Sequence, residues 1–261
     1  VDASVRLLAV VHAELGDYTP LGQVYATALY DRGDLAEAAK VYESLPFDLE
    51  GEDEMAEEHL RRGRAFRAIG RDPTAVRHFE AAAAVDVTRP VALECLANLQ
   101  ESAGRWEAAA RYRERLADAV EDPQWKRAAM VAAGMILHQR LSKPARAMDL
   151  FEEAIDAGLV EPMLLRRIVT VFQDNGRFSR ALDLVERLIE GEQDPNQRAE
   201  LMCMRASVLA TQGQLDEARF AYLEALEESP LYARAAEGLF GLLSGATIRD
   251  QKAAVRRIRD G

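Results

Sequence analysis

The segment 199–232 constrains the fold more than any other part of this chain. A small residue lies seven positions before Gly213, and small, aromatic, small and proline residues lie five, nine, twelve and seventeen positions after it: Ala206, Ala218, Tyr222, Ala225 and Pro230. Small side chains let two helices approach closely, and proline ends a helix because it has no amide hydrogen. The segment therefore predicts two short helices joined by a glycine turn.

The same spacing recurs along the chain, at turns that we place at Gly33, Gly70, Gly104, Ser142 and Gly176, with intervals of 37, 34, 38, 34 and 37 residues up to Gly213. A period near 34 residues with this small–aromatic–small signature resembles the tetratricopeptide repeat (TPR) family. Two copies depart from the pattern. The third has Tyr112 one position early and Arg113 in the aromatic slot. In the fourth, Ser142 or Lys143 replaces the turn glycine, and Gly134 stands one position out of register.

The resemblance implies an all-α fold, a right-handed superhelical solenoid of helix-turn-helix repeats. One helix pair cannot bury its apolar face alone, whereas stacked pairs form a continuous core. We predict three regions: 1–17 as an N-terminal capping helix or half-repeat, 18–232 as six repeats, and 233–261 as C-terminal capping helices. The last of these helices, ending at Arg259, is basic. It is interpreted as a cap, with a docking site for an acidic partner as the alternative.

The charge and the termini limit the class of protein. A net charge of −11 argues against nucleic acid, which requires a basic surface. The acidic stretch 48–58 is expected to run from a loop into a helix, where carboxylates complement the helix dipole; a docking strip for a basic partner is the alternative. No signal peptide or membrane span is visible, so we expect a cytoplasmic protein. Because the first residue is Val1 rather than methionine, the possibility that an upstream signal or membrane anchor has been removed stays open.

No catalytic chemistry is indicated. The four histidines are not paired with glutamate as in zinc proteases, and the two cysteines, Cys95 and Cys203, belong to distant repeats. No glycine-rich phosphate loop and no serine nucleophile motif is present. We therefore predict no catalytic residues, no metal ligands and no cofactor.

In the TPR family the first helix of each repeat lines a concave groove. The resemblance places these partner-binding candidates there: Tyr30, Arg61, Arg64, Arg67, Asn98, Glu101, Arg166 and Gln173. The arginines are predicted to hold a peptide with acidic side chains or a carboxylate, and the alternative is that all eight lie on solvated helix faces. The co-chaperone carboxylate clamp needs Lys and Asn on the first groove helix. Gln23 and Thr27 stand at those positions, so the clamp is disfavoured.

The sequence thus predicts a non-catalytic scaffold that binds a protein or peptide partner in the groove. Three other functions stay open. The chain could be the regulatory or substrate-recruiting portion of a larger enzyme, a bacterial envelope-assembly factor of TPR type, or an enzyme in its own right. Oligomeric state is not predicted.

Overall fold

A computed structural model describes residues 2–15, 19–45 and 51–244. Those residues form helices and connecting turns, without a strand among them. In chain order the helices are α1 (Asp2–Leu15), α2 (Thr19–Arg32), α3 (Leu35–Ser44), α4 (Glu52–Ala68), α5 (Asp72–Ala82), α6 (Arg89–Ser102), α7 (Trp106–Ala119), α8 (Pro123–Gln139), α9 (Pro144–Asp156), α10 (Pro162–Asp174), α11 (Phe178–Gly191), α12 (Pro195–Gln212), α13 (Leu215–Glu228) and α14 (Ala233–Ser244).

The chain divides into two compact units, 1–157 and 158–261. The first contains α1–α9 and the second contains α10–α14. Consecutive helices pack as antiparallel pairs α2/α3, α4/α5, α6/α7, α8/α9, α10/α11 and α12/α13. The all-α class and the helix pairs expected from the repeat spacing are confirmed.

A left-handed residue turns the chain within every pair. The five glycines expected at turns, Gly33, Gly70, Gly104, Gly176 and Gly213, have φ between 69° and 89°. Ser142 has φ of 50°, so Ser142 rather than Lys143 takes the turn in the fourth pair. A left-handed backbone costs about 1 kcal/mol or more for a residue with a Cβ atom, which explains why glycine stands at the other turns.

The fourth turn is one residue longer than the others. In each glycine turn the amide after the glycine donates to the carbonyl four residues before it, at 2.8–2.9 Å. In the fourth, the amide of Lys143 donates to the carbonyl of Leu137, five residues before Ser142, at 2.9 Å. This extra residue is the physical reason that Gly134 falls out of register in the sequence.

The small residues of the motif lie where the helices touch. The alanines five positions after each turn, Ala38, Ala75, Ala109, Ala147, Ala181 and Ala218, have no exposed surface. A Cβ atom added at Gly63 would lie 2.6 Å from Cε1 of Phe79, and one added at Gly134 would lie 2.4 Å from Cε1 of Phe151. Both rings are fully buried. An aromatic ring of the second helix therefore packs directly on the backbone of the first.

The ends of the array agree with the sequence where they are described. The helix predicted over Ser4–Leu15 is α1, and the one predicted over Tyr232–Leu243 is α14. The acidic stretch runs into α4, whose first turn holds Glu52, Asp53 and Glu54. Residues 46–50 and the predicted basic helix ending at Arg259 lie outside the described residues, and the three-region division stays a prediction.

Gly134→Ala should lower the free energy of unfolding by about 2 kcal/mol, because the new methyl group overlaps the ring of Phe151 in a packed core. Urea unfolding followed by circular dichroism measures this. Gly191→Ala is the matched control: it also lies in a helix, has no atom within 4 Å of the added Cβ, and should change stability by less than about 1 kcal/mol. Equal effects of the two substitutions would contradict the close ring–backbone contact.

Candidate partner-binding surface

A pocket opens between α2 and α4, the first helices of the first two pairs. Its volume is about 650 Å³, within the range of about 300–1,000 Å³ typical of ligand sites. We call it the α2/α4 pocket. It is lined by Pro20, Gln23, Val24, Thr27, Ala28 and Asp31 from α2, and by Glu54, Glu57, Glu58 and Arg61 from α4.

The α2/α4 pocket is negatively charged. Four carboxylates face one guanidinium, a net formal charge of −3 (one minus four). Arg61 pairs with Glu57 at 3.1 Å and with Glu58 at 3.5 Å. Asp31 and Glu54 have no ion pair among the described residues, and both are exposed. The carboxylates available to a partner are therefore those of Asp31 and Glu54.

A buried ion pair fixes the α4 side of the pocket. Arg62 and Glu58 are only 4% and 3% exposed, and Nε of Arg62 donates to Oε1 of Glu58 at 3.1 Å. Nη1 of Arg62 also donates to the carbonyl oxygen of Leu45 at 3.3 Å, and its guanidinium lies 5.1 Å from the ring centre of Tyr42. Arg62 thus connects α4 to α3 while Glu58 reaches the pocket wall.

The α2 wall combines apolar side chains with one unsatisfied donor. Val24 is 56% exposed, and Pro20 and Ala28 lie beside it. Nε2 of Gln23 is shielded from solvent and has no hydrogen-bond partner among the described residues. A buried donor without an acceptor is unfavourable by about 1–3 kcal/mol, so an acceptor brought by a bound partner would be favourable here.

The predicted residues of the first two repeats lie together. Nη1 of Arg64 donates to the hydroxyl of Tyr30 at 2.9 Å, which joins α4 to α2. Arg64 also interacts with the thiol of Cys95 on α6. Arg61 lines the α2/α4 pocket, and Arg67 is exposed without an ion pair among the described residues. Tyr30, Arg61 and Arg64 are thus at one surface, and their role as partner contacts stays a prediction.

Asn98 and Glu101 serve the packing of their own pair. Arg113, which replaces the aromatic residue of the motif, is 14% exposed in its side chain. Its Nη2 donates to Oδ1 of Asn98 at 2.5 Å, and its Nε donates to Oε1 of Glu101 at 2.9 Å. Arg113 therefore links α7 to α6 through hydrogen bonds where the other pairs use apolar contact.

Arg166 and Gln173 join α10 to α12 within the second unit. Arg166 pairs with Glu200 at 2.9 Å and donates to Gln197 at 3.0 Å. Nε2 of Gln173 donates to the hydroxyls of Ser207 and Thr211 at 3.0 Å and 2.9 Å. The role of Arg166 and Gln173 as partner contacts stays a prediction.

Asp31 and Glu54 were missing from the predicted set. The acidic stretch 48–58 signalled Glu54, because a docking strip for a basic partner was the alternative interpretation. Asp31 carried no such signal, since it lies two positions before the turn and outside the spacing used to select groove positions. Only the packing of α2 beside α4 brings the two carboxylates to one pocket.

Two histidines form a further polar cluster in the first unit. Nδ1 of His59 on α4 and Nδ1 of His78 on α5 are 2.8 Å apart, so one ring donates to the other. The His78 ring stacks on Phe66, with ring centres 5.4 Å apart. Burial lowers the pKa of both rings, and His59, Arg62 and Arg77 lower that of His78 further, to about 4. Among the described residues, no three metal-ligating side chains come together.

The geometry of the turns and pairs agrees with the family comparisons. Tetratricopeptide repeat models match residues 92–124, which include α7 and most of α6, and residues 166–233, which include α11–α13 and most of α10. The chain contains tetratricopeptide repeats. No curated protein matches it in sequence. Within the described ranges, none of its TPR helices is both long and apolar enough to cross a membrane.

Solved TPR structures share the fold at low identity. The C-terminal part of a TPR repeat-containing protein from Cytophaga hutchinsonii is 15% identical, with a TM-score of 0.62 over 91% of this chain and 94% of that one. A chain of the Naa15/Naa10 complex bound to HypK-THB is 18% identical, with a TM-score of 0.62 over 96% of this chain and 38% of that one. YrrB, a TPR protein with an unusual peptide-binding site, is 16% identical, with a TM-score of 0.51 over 72% and 97%.

Arg113→Ala should lower the free energy of unfolding by about 1–2 kcal/mol, because two half-buried acceptors lose a charged donor. Thermal and urea unfolding measure the change. Arg111→Ala on the same helix is the control, since Arg111 is exposed and makes only a distant contact with the ring of Tyr112. A loss no larger than that of the control would show that Asn98 and Glu101 do not depend on Arg113.

Stability should fall as the solution is acidified through the histidine range. In the unfolded chain His78 binds a proton near its ordinary pKa of 6.5, whereas in the fold it does so only near 4. As the pH falls, the unfolded state therefore binds a proton at His78 before the folded state does. The stability that depends on a neutral His78 is fully present above about pH 6.5 and is lost as the pH falls toward 4. Melting temperatures measured across this range should fall more steeply for the wild type than for His78→Gln. Gly134→Ala, which keeps both histidines, is the control and should show the wild-type dependence of melting temperature on pH. If His78→Gln also shows the wild-type dependence, the histidine pair is not its source.

Proposed function

We propose that this TPR protein is a non-catalytic scaffold that binds a basic segment of a partner protein in the α2/α4 pocket. The observation that carries the proposal is that Asp31 and Glu54 are exposed, line a pocket of net formal charge −3, and have no ion pair among the described residues. TPR repeats and the similarity to other TPR proteins support an interaction scaffold.

The pocket offers three kinds of contact to such a segment. Asp31 and Glu54 accept hydrogen bonds from Arg or Lys, and charge-assisted hydrogen bonds are the stronger ones. Val24 and Pro20 provide apolar surface between them. Gln23 also lines the pocket, and its Nε2 is a hydrogen-bond donor without a partner among the described residues. An arginine-containing segment with apolar side chains satisfies all three.

The sign of the partner's charge differs from the sequence-based expectation. That expectation required Arg61, Arg64 and Arg67 to be available to acidic groups. Arg61 is neutralised by Glu57 and Glu58, and Arg64 is engaged by Tyr30. Arg67, Asn98, Glu101, Arg166 and Gln173 stay predicted contacts for more distant parts of a partner.

The wider roles considered from the sequence use the same surface. A recruiting portion of a larger enzyme and an envelope-assembly factor would both present the α2/α4 pocket to another protein. YrrB, whose fold is similar, has an unusual peptide-binding site, and this supports a peptide as the bound element here.

The test uses two short labelled peptides, one of alternating arginine and leucine and one of alternating glutamate and leucine, titrated into the protein by fluorescence anisotropy. The arginine peptide should bind, and Asp31→Asn with Glu54→Gln should weaken it about tenfold, since each exposed pair contributes up to about 1 kcal/mol and 1.4 kcal/mol is a factor of ten. Higher salt should weaken it as well.

The matched control is Glu52→Gln with Asp53→Asn, which removes the same charge from the first turn of α4 but does not touch the pocket. This variant should bind the arginine peptide like the wild type. Binding of the glutamate peptide instead, with loss in Arg64→Glu and Arg67→Glu, would overturn the proposal in favour of an acidic partner.

A further inference from the structure

We propose that one occupant of the α2/α4 pocket is the basic segment 245–261 of a second copy of this chain. The inference rests on the proposed function, because it assumes that the pocket accepts a basic segment. It names the source of that segment and predicts a head-to-tail association between copies.

The charges of the two partners are complementary. Segment 245–261 follows α14 and contains five basic and two acidic side chains: Arg249, Lys252, Arg256, Arg257, Arg259, Asp250 and Asp260. Its formal charge is therefore +3, whereas the rest of the chain carries −14, since the total is −11. A segment of +3 meets a pocket of −3.

The apolar side chains also correspond. Ile248, Val255 and Ile258 lie among the basic residues of the segment. Val24 is 56% exposed in the α2 wall, next to Pro20. A bound segment can therefore cover this apolar surface while its arginines reach the carboxylates of Asp31 and Glu54 at the edge.

A second copy is the source that the repeat order favours. The pocket is built from the first two helix pairs, and the segment follows the sixth. Repeats in an array pack on their neighbours in sequence, so we assign the segment to another molecule. A surface that binds a different surface of an identical chain gives a head-to-tail contact, which can continue from copy to copy.

The test uses the full chain in three forms and measures mass by sedimentation equilibrium in low salt. The pocket variant is Asp31→Lys with Glu54→Lys, and the segment variant is Arg256→Glu with Arg257→Glu. The wild type should exceed its monomer mass of 29.0 kDa, whereas each variant alone should remain at 29.0 kDa. An equal mixture of the two should form a dimer of 58.0 kDa, twice 29.0 kDa, because one intact pocket then meets one intact segment.

Glu52→Lys with Asp53→Lys is the control, since it makes the same charge change outside the pocket and should associate like the wild type. Circular dichroism of each variant verifies the fold. The proposal is overturned if the wild type remains at 29.0 kDa, if the pocket variant alone still associates, or if the mixture forms no dimer.

A peptide of residues 245–261 separates this inference from the proposed function. It should bind the segment variant, whose pocket is intact, and the pocket variant about tenfold more weakly. If the arginine–leucine peptide binds the segment variant but the 245–261 peptide does not, only the present inference fails. If neither peptide binds, the proposed function fails with it. A third outcome is that the peptide binds the segment variant, whereas the wild type is monomeric and does not bind the peptide. In that case the segment occupies the pocket of its own chain, and binding to a second copy is excluded.

Discussion

Close approach between the two helices of each pair is the constraint on which the structure depends. It requires a backbone that reverses within one or two residues, and it requires small residues where the second helix meets the first. Left-handed glycines supply the reversal, and fully buried alanines supply the contact. Where the first helix has Gly63 or Gly134, the aromatic ring of the second rests on the backbone itself. The α2/α4 pocket, the hydrogen bonds between helices and the histidine pair are all positioned by these closely packed helix pairs.

The helix pairs could be predicted from the sequence because their motif repeats. A single glycine seven positions from an alanine says little, but the same offsets around six turns predict six helix pairs. The prediction worked even at Ser142, where the motif is weakest, because Phe151 and Ala154 kept their spacing. It could not show that the fourth turn contains an extra residue, since that is a matter of which carbonyl the amide of Lys143 reaches.

The candidate site was only partly predictable. Helical spacing selects residues on the exposed face of one helix, and it selected Tyr30, Arg61 and Arg64, which lie at one surface in the structure. It could have predicted the pair of Arg61 with Glu57, which are one turn apart on α4, but it cannot show that Asp31 of α2 joins them in one pocket. A row of arginines in the sequence therefore predicts a basic surface, whereas the residues that line the α2/α4 pocket beside it are mostly acidic. Pairing between side chains, rather than their number, decides the charge offered to a partner.

Arg113 has a consequence for how the repeats find one another during folding. At the equivalent position the other second helices carry Tyr42, Phe79, Phe151, Val185 and Tyr222, none of which can donate to two acceptors at once. If α6 paired with any of those helices, Asn98 and Glu101 would lose the guanidinium that satisfies them. Incorrect assembly is a common failure of arrays built from similar units. The hydrogen bonds of Arg113 therefore favour the pairing of α7 with α6 over the pairing of α6 with the second helix of another repeat.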